Sequence, residues 1–321
     1  MPTRLEQRDE FTHELGPGPD VDEGVSFGFY DPSVRVGGLF RLDNRPGEGV
    51  AEVSVCCFLP DGRVGFCGGR PAISGNAGFD AGGLHVDVRR PLEEVSLSWR
   101  GELVLLEDPL AVGRPEAVAA SPRAPGRVEL TFAGVSPAYE GELEQHPEAS
   151  GPAPGRGRYE QLVHVVGQVH AGDELDLVDG FGIRDHSWGP LAPPPGSPSC
   201  RLTGNLGPTF GFSVSRVLGP GSTGRSRGFL WDGTSLMHVA ELSLVTGWTG
   251  AGRHHDVIEA RLVAGDREWL LQGKVIALVP LVEAGGAAER APLLTQALTR
   301  WTLDDGRVGH GFSAYLEPAS N

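Results

Sequence analysis

Lysine is almost missing. Lys274 is the only one in 321 residues, and arginine supplies the rest of 27 cations against 42 carboxylates, leaving a net charge of −15. No basic run interrupts this acidic balance, so a polyanion would find no clustered cations, and nucleic acid is excluded as a partner. Cysteine is scarce too: Cys56, Cys57, Cys67 and Cys200 form no CxxC and show no metal-ligand spacing. On a strand, adjacent Cys56 and Cys57 point to opposite faces as small core residues, and reduced thiols in a cytoplasmic setting are expected. No apolar stretch reaches the roughly 18 residues a membrane helix needs. Charges scattered through Met1 to Leu15 leave no apolar region of the kind a secretory signal requires. There is no Walker-type loop, no G-x-S-x-G elbow and no H-E-x-x-H pair, which removes the usual nucleotide, serine-hydrolase and zinc-protease signatures.

What is abundant is glycine, with 48 residues, and proline, with 26. Both exceed their usual shares of about 7% and 5%, yet no Gly-x-y period exists, so collagen is excluded. Hydrophobic residues make up 39% of the chain in short punctuated runs, which argues against disorder. Glycine and proline cost a helix interior about 1 and 3 kcal/mol relative to alanine, and both suit turns. The expectation is therefore an all-β chain. Leu84, Val86 and Val88 alternate with polar residues, as do Val95, Leu97 and Trp99, and Val128 to Phe132 continues the pattern. Asp61-Gly62, Gly172-Asp173, Asp179-Gly180, Asp232-Gly233, Gly265-Asp266 and Asp305-Gly306 read as hairpin turns. One helix is predicted, from Ala287 to Trp301 and shortened by Pro292.

The stretch from His146 to Arg158 has almost no side chain to bury and marks a boundary. It divides the chain into two β domains, residues 1–150 and 151–321, each expected to close as an antiparallel barrel or sandwich. A barrel of eight to ten strands can hold one apolar ligand. A second loop, Leu191 to Ser199, is proline-rich and would border an opening.

The densest group of functional residue types is Arg184-Asp185-His186-Ser187-Trp188. On a strand, Arg184, His186 and Trp188 share one face and Asp185 and Ser187 the other. A carboxylate in an apolar barrel has its pKa raised and can act as a general acid. The alternative is an Arg/Asp pair closing a barrel end, with Trp188 as a core plug. Upstream, Tyr159-Glu160-Gln161 leads into a strand on which Glu160, His164 and His170 share the parity of Leu162 and Val166, as a ligand-lining interior would. His254-His255-Asp256 has no third ligand at a recognisable spacing and reads as an exposed turn, so no metal is assigned. Gly219-Pro-Gly221-Ser-Thr-Gly224 matches the dinucleotide fingerprint but lacks a following helix, and reads as a flexible loop.

The segment Gly180-Phe-Gly-Ile-Arg-Asp-His-Ser-Trp-Gly-Pro190, preceded by Tyr159-Glu160-Gln161, resembles the signature of the hydroxyneurosporene synthase (carotenoid 1,2-hydratase) and AttH-like family. Phe27-Gly-Phe29-Tyr30-Asp31-Pro32, Asn44 to Gly49, Leu59 to Gly62 and Asp305 to Glu317 fit the same resemblance. It implies two tandem lipocalin-like β domains with an apolar pocket, and a cofactor-free chemistry: hydration, isomerisation or cyclisation of an apolar unsaturated molecule such as a terpenoid or polyketide. Ala314 and Pro190 depart from the family pattern, where an acidic residue and an arginine are common.

The residues then take these expected roles. Asp185 is the general acid, His186 positions it or a water, and Arg184 stabilises its conjugate state. Trp188, Tyr159 and Phe181 face developing positive charge with their rings, each worth about 0.5–2 kcal/mol. Glu160, His164 and Tyr315 complete the substrate contacts. The partner is a hydrophobic small molecule, no cofactor is required, and the competing reading is a non-enzymatic carrier of such a ligand.

Overall fold

A computed structural model describes residues 5–15, 21–141, 157–190, 198–218, 226–249, 254–282 and 293–317. The chain forms two compact units. The first comprises Met1–Leu106 with Ser121–Pro193; the second comprises Glu107–Ala120 with Pro194–Asn321.

The first unit contains β1 (Val21–Asp31), β2 (Val36–Arg45), β3 (Val50–Phe58), β4 (Val64–Gly69), β5 (Asp80–Ala81), β6 (Leu84–Arg90), β7 (Glu94–Leu106), β8 (Arg123–Gly134), β9 (Tyr139–Glu140), β10 (Gly157–Ala171) and β11 (Glu174–Pro190). All pair antiparallel, in the order β4-β3-β2-β1-β11-β10-β8-β7-β6-β5 with β9 off this path on β10, and β4 also pairs with β7, which closes the sheet on itself. Closure removes the unpaired edges that a long sheet would expose. Alternate residues fill the interior: Val25, Phe27 and Phe29 from β1, Phe40 and Leu42 from β2, Leu97 and Trp99 from β7, and Val163 and Val165 from β10. At one end of this interior the alternation turns polar, with Glu23 on β1, Tyr159 and Gln161 on β10, and Arg184 and His186 on β11 all buried.

The second unit is a closed eight-stranded antiparallel barrel: β12 (Ser199–Asn205), β13 (Gly211–Val217), β14 (Ser226–Trp231), β15 (Leu236–Thr249), β16 (His254–Ala264), β17 (Arg267–Val282), β18 (Leu293–Leu303) and β19 (Val308–Glu317). Phe212, Leu262, Trp269, Leu271, Trp301 and Leu303 are among its core residues. A short helix, α1 (Pro115–Ala120), and the 3₁₀ turn before it (Pro109–Gly113) belong to this unit, with the turn packed on β17.

The all-β expectation is met, and most predicted hairpins are present: Gly62, Gly172, Gly233, Gly265 and Gly306 all adopt positive φ at turns. Other expectations are corrected. The change of unit falls at Pro193/Pro194 rather than at 150/151, because β10 and β11 insert between β8 and β1 and complete the first unit's sheet. Asp179-Gly180 lies inside β11, where Gly180 meets the Tyr30 backbone too closely for a side chain. The expected helix is a strand over Leu293–Leu303, whose Thr295, Ala297, Thr299 and Trp301 are buried with period two; residues 287–292 lie outside the described residues. The helix that does form, Pro115–Ala120, was not foreseen. His255 is no exposed turn residue but the buried second position of β16. The stretch at 146–156, most of the Leu191 to Ser199 loop and the Gly219–Gly224 loop also fall outside the described residues.

All four cysteines are free, and Cys56, Cys57 and Cys200 are buried. Burial pushes the Cys56 thiol well up, Cys57 to about 12 and Cys200 to about 11, so none is a ready nucleophile.

Candidate active site

Strand β11 carries the motif, and its two faces have different partners. On the interior face, Arg184 is 3% exposed and uses its guanidinium completely. Nε donates to Gln161 Oε1 at 2.9 Å, and Nη2 donates to the same oxygen at 2.7 Å and to Glu10 Oε2 at 3.0 Å. Nη1 donates to Glu10 Oε1 at 2.5 Å and to Tyr159 Oη at 3.3 Å. Those contacts occupy all five N–H groups an arginine has. The Tyr159 hydroxyl donates to Glu10 Oε1 at 2.6 Å, and the Leu92 amide donates to Oε2 at 2.7 Å. Burial pushes the Tyr159 phenol well up. Glu10 ends the 3₁₀ turn Gln7–Glu10, so the arginine and tyrosine fasten the N-terminal segment to the sheet.

His186 and Trp188 continue the fastening. Nε2 of His186 lies 2.8 Å from Glu23 Oε1, and His13 Nδ1 lies 2.6 Å from the same oxygen. Glu23 Oε2 accepts from the His13 amide at 2.8 Å and from Asn76. The hydrogen bonds from the two imidazoles outweigh burial and hold the Glu23 carboxyl at about 2. The Trp188 indole stacks on His13 with ring centroids 4.0 Å apart. Arg184 and His186 therefore do not serve Asp185, as the sequence suggested. A barrel end is closed by a buried ion pair, but the carboxylate is Glu10, far away in sequence.

The outer face of β11 is different. Register across β2, β1, β11 and β10 aligns Arg41, Ser26, Asp185 and Glu160 in one row. The next row is Asp43, Gly24, Ser187 and Arg158. Asp185 accepts from the Ser26 hydroxyl. Arg158 Nη2 sits 3.1 Å from Asp185 and 2.9 Å from Glu160, bridging two carboxylates. On the other side of this row, Leu39, Gly28, Ile183 and Leu162 align, followed by Gly37, Tyr30, Phe181 and His164. Ile183, Leu162 and Tyr30 are buried on this face as well. His164 Nε2 lies 2.6 Å from Asp179 Oδ1 and its ring is 5.2 Å from Phe181. The face is thus an apolar and aromatic platform with carboxylates at one end and an imidazole–carboxylate pair at the other. Four residues of strand separate the ends, about 13 Å.

Glu160 and His164 had been expected to line a barrel interior. They occupy the outer face, and their odd-numbered neighbours Tyr159, Gln161, Val163 and Val165 fill the core. His170 has the same outward parity. Asp22, Ser26, Arg41, Asp43 and Arg158 went unrecognised. Asp22 shares the outer face of β1 with Ser26, and burial beside Asp43 raises its carboxyl to about 6. The alternation Asp22, Gly24, Ser26 against Glu23, Val25, Phe27 was a readable signal for that face.

Tyr315 belongs to the second unit and lies inside its barrel. Its hydroxyl is 2.7 Å from Thr246 Oγ1, and its ring packs 4.5 Å from His255. His255 Nε2 is 2.8 Å from Ser313 Oγ, which is 2.7 Å from Thr299 Oγ1. Burial holds His255 at about 4, uncharged near neutrality.

A family model described as a domain of unknown function, DUF7064, matches residues 6–319. The chain belongs to the DUF7064 family. Its fold is shared by solved structures of low identity. The Nitrosomonas europaea protein described as an AttH is 14% identical, with a TM-score of 0.61 over 98% of this chain and 97% of that one. Kievitone hydratase from Nectria haematococca is 10% identical, with a TM-score of 0.58 over 98% and 93%. CghA is 11% identical, with a TM-score of 0.58 over 94% and 90%. The AttH-like resemblance read from the sequence is thereby shown at the level of the fold. No curated protein matches the chain.

Proposed function

We propose that this DUF7064 chain is an acid–base enzyme, a hydratase, isomerase or cyclase, acting without a cofactor on an elongated apolar, unsaturated molecule such as a terpenoid or polyketide. One observation carries the reading: the carboxylates Asp185 and Glu160 share a face with the Leu39, Ile183 and Leu162 row and the Tyr30, Phe181 and His164 row. The other charged groups of the motif are consumed in fastening the N-terminal segment. Kievitone hydratase, a hydratase by name, has the same fold, which supports the class of chemistry.

The roles shift from those the sequence suggested. Arg158 and Ser26 stabilise the Asp185 anion, so Asp185 serves as a base rather than an acid. Asp22, whose carboxyl burial raises to about 6, is suited to give up a proton on the same face. In a hydration, the Asp22 carboxyl protonates one end of a conjugated system, water adds to the cation near Asp185, and Asp185 takes the proton that the added water gives up; solvent exchange then returns a proton to Asp22 and removes one from Asp185, so one water is consumed and both carboxyls are restored. In an isomerisation, Asp185 removes a proton from carbon instead. A conjugated body lets the proton enter at one end and leave at the other. Tyr30 and Phe181 supply ring faces for the part of the conjugated body that lies beyond Asp185, away from Asp22.

The decisive experiment is Asp185→Asn against a panel of prenylated and polyene substrates. Turnover should fall by about 10²–10⁴-fold with the protein still folded, and unchanged turnover removes Asp185 from the mechanism. Solvent extraction of the purified protein serves as the companion measurement. An apolar ligand recovered intact and never converted would assign the platform to carriage.

A further inference from the structure

On the interior face, His13, Glu23 and His186 converge in a way that hydrogen bonding alone does not require. We propose that they bind one divalent transition cation of the zinc class, which ties the N-terminal segment to β1 and β11. The three ligating atoms, one from each residue, lie within 4.8 Å of one another. Both imidazoles address a single carboxylate oxygen, Glu23 Oε1, at 2.6 and 2.8 Å. Zinc held at about 2.0–2.2 Å in tetrahedral geometry separates its ligand atoms by about 3.3 Å, so each of the two nitrogen–oxygen contacts need open by only about half an ångström.

The rest of the site is organised as a metal's outer shell is. Glu23 Oε2 is kept out of the cluster by the His13 amide and by the Asn76 side-chain amide. Asn76 is itself fixed, accepting from Asn44 Nδ2 at 2.9 Å and donating to the His13 carbonyl at 2.9 Å. Asp9 Oδ1 stands 3.6 Å from His13 Nε2, the ring nitrogen facing away from Glu23. A histidine that ligates through Nδ1 carries its proton on Nε2, and a carboxylate there is the usual partner of a metal-bound imidazole. Two imidazoles and one carboxylate suit zinc and its neighbours better than calcium or magnesium, which prefer oxygen ligands. Three protein ligands leave a fourth position for water.

Spacing in the sequence could not reveal this group, because its members come from an N-terminal segment and two separate strands. The site is on the opposite face of β11 from Asp185, so it stands or falls independently of the proposed chemistry.

The test uses the full chain, stripped with a chelator and titrated with Zn²⁺ and with Co²⁺. Uptake of one equivalent per chain is expected, with the visible absorption of tetrahedral cobalt, a melting temperature that rises with metal, and protection of residues 5–15 from proteolysis. His13→Ala, which alters only a partly exposed side chain, should abolish the one-equivalent uptake and the cobalt spectrum. Asp9→Asn should weaken binding by about 10–100-fold. Absence of stoichiometric uptake overturns the proposal. So does uptake that survives His13→Ala unchanged, which would place the metal elsewhere in the chain.

Discussion

Replacing Arg184 tests whether the most charged part of the motif is architecture or chemistry. Arg184→Met leaves Glu10, 4% exposed, buried with only the Tyr159 hydroxyl and the Leu92 amide as partners among the described residues. Removing one member of a buried ion pair costs about 3–5 kcal/mol, chiefly through the uncompensated charge left behind. At about 2–4 °C per kcal/mol for a domain of this size, the first unit's melting temperature should drop by about 6–20 °C. The double variant Arg184→Met/Glu10→Leu should recover much of that loss, because an apolar pair of similar volume avoids the desolvation cost altogether. The assay is chemical unfolding followed by tryptophan fluorescence, with Trp188 near the break and wild type, the two single variants and the double variant completing a thermodynamic cycle. A loss below about 1 kcal/mol for Arg184→Met, or no recovery in the double variant, would refute the account of Arg184 as a fastener. So would lost turnover in a double variant of wild-type stability.

The second unit offers a pH test. His255 is held at about 4 from an ordinary 6.5, so the unfolded chain binds the proton more readily. Stability is complete above about pH 6.5 and is lost as pH falls towards 4, by about 3 kcal/mol in total. The difference between wild type and His255→Gln should shrink across that window in urea melts, and parallel curves would contradict it. Gly182→Ala should destabilise the first unit by about 1–3 kcal/mol, since a Cβ there would overlap the Gly28 carbonyl oxygen across the β1–β11 ladder. A crystal structure of that variant with an undisturbed ladder would show the close approach to be inconsequential.

Local chemistry made part of this molecule legible. Asp-Gly and Gly-Asp pairs at 61–62, 172–173, 232–233, 265–266 and 305–306 announce turns because glycine tolerates positive φ there. The two-residue period assigned Arg184, His186 and Trp188 to one face and Asp185 to the other. Period alone does not say which face is inside when both are buried, as on β10, where Leu162 is as buried as Val163. The partners of Arg184 and His186 were invisible for another reason. Glu10 and His13 come from a segment with no apolar pattern of its own, and only the closed sheet brings them to β11. The β18 expectation failed because helix-compatible residues at 293–301 also alternate in pairs of faces, and the barrel uses that alternation.

The fastening has a temporal side. Glu10 and His13 leave the ribosome early, while Arg184 and His186 are made only after β1 to β10 exist. At synthesis rates of about 5–20 residues per second, that gap is roughly 10–35 s. During it, the segment 107–120, which belongs to the second unit, also waits for β17. Neither unit can finish in simple chain order, so two early stretches are kept for late-arriving strands, and a nascent chain is open to chaperones and proteases at those two places first.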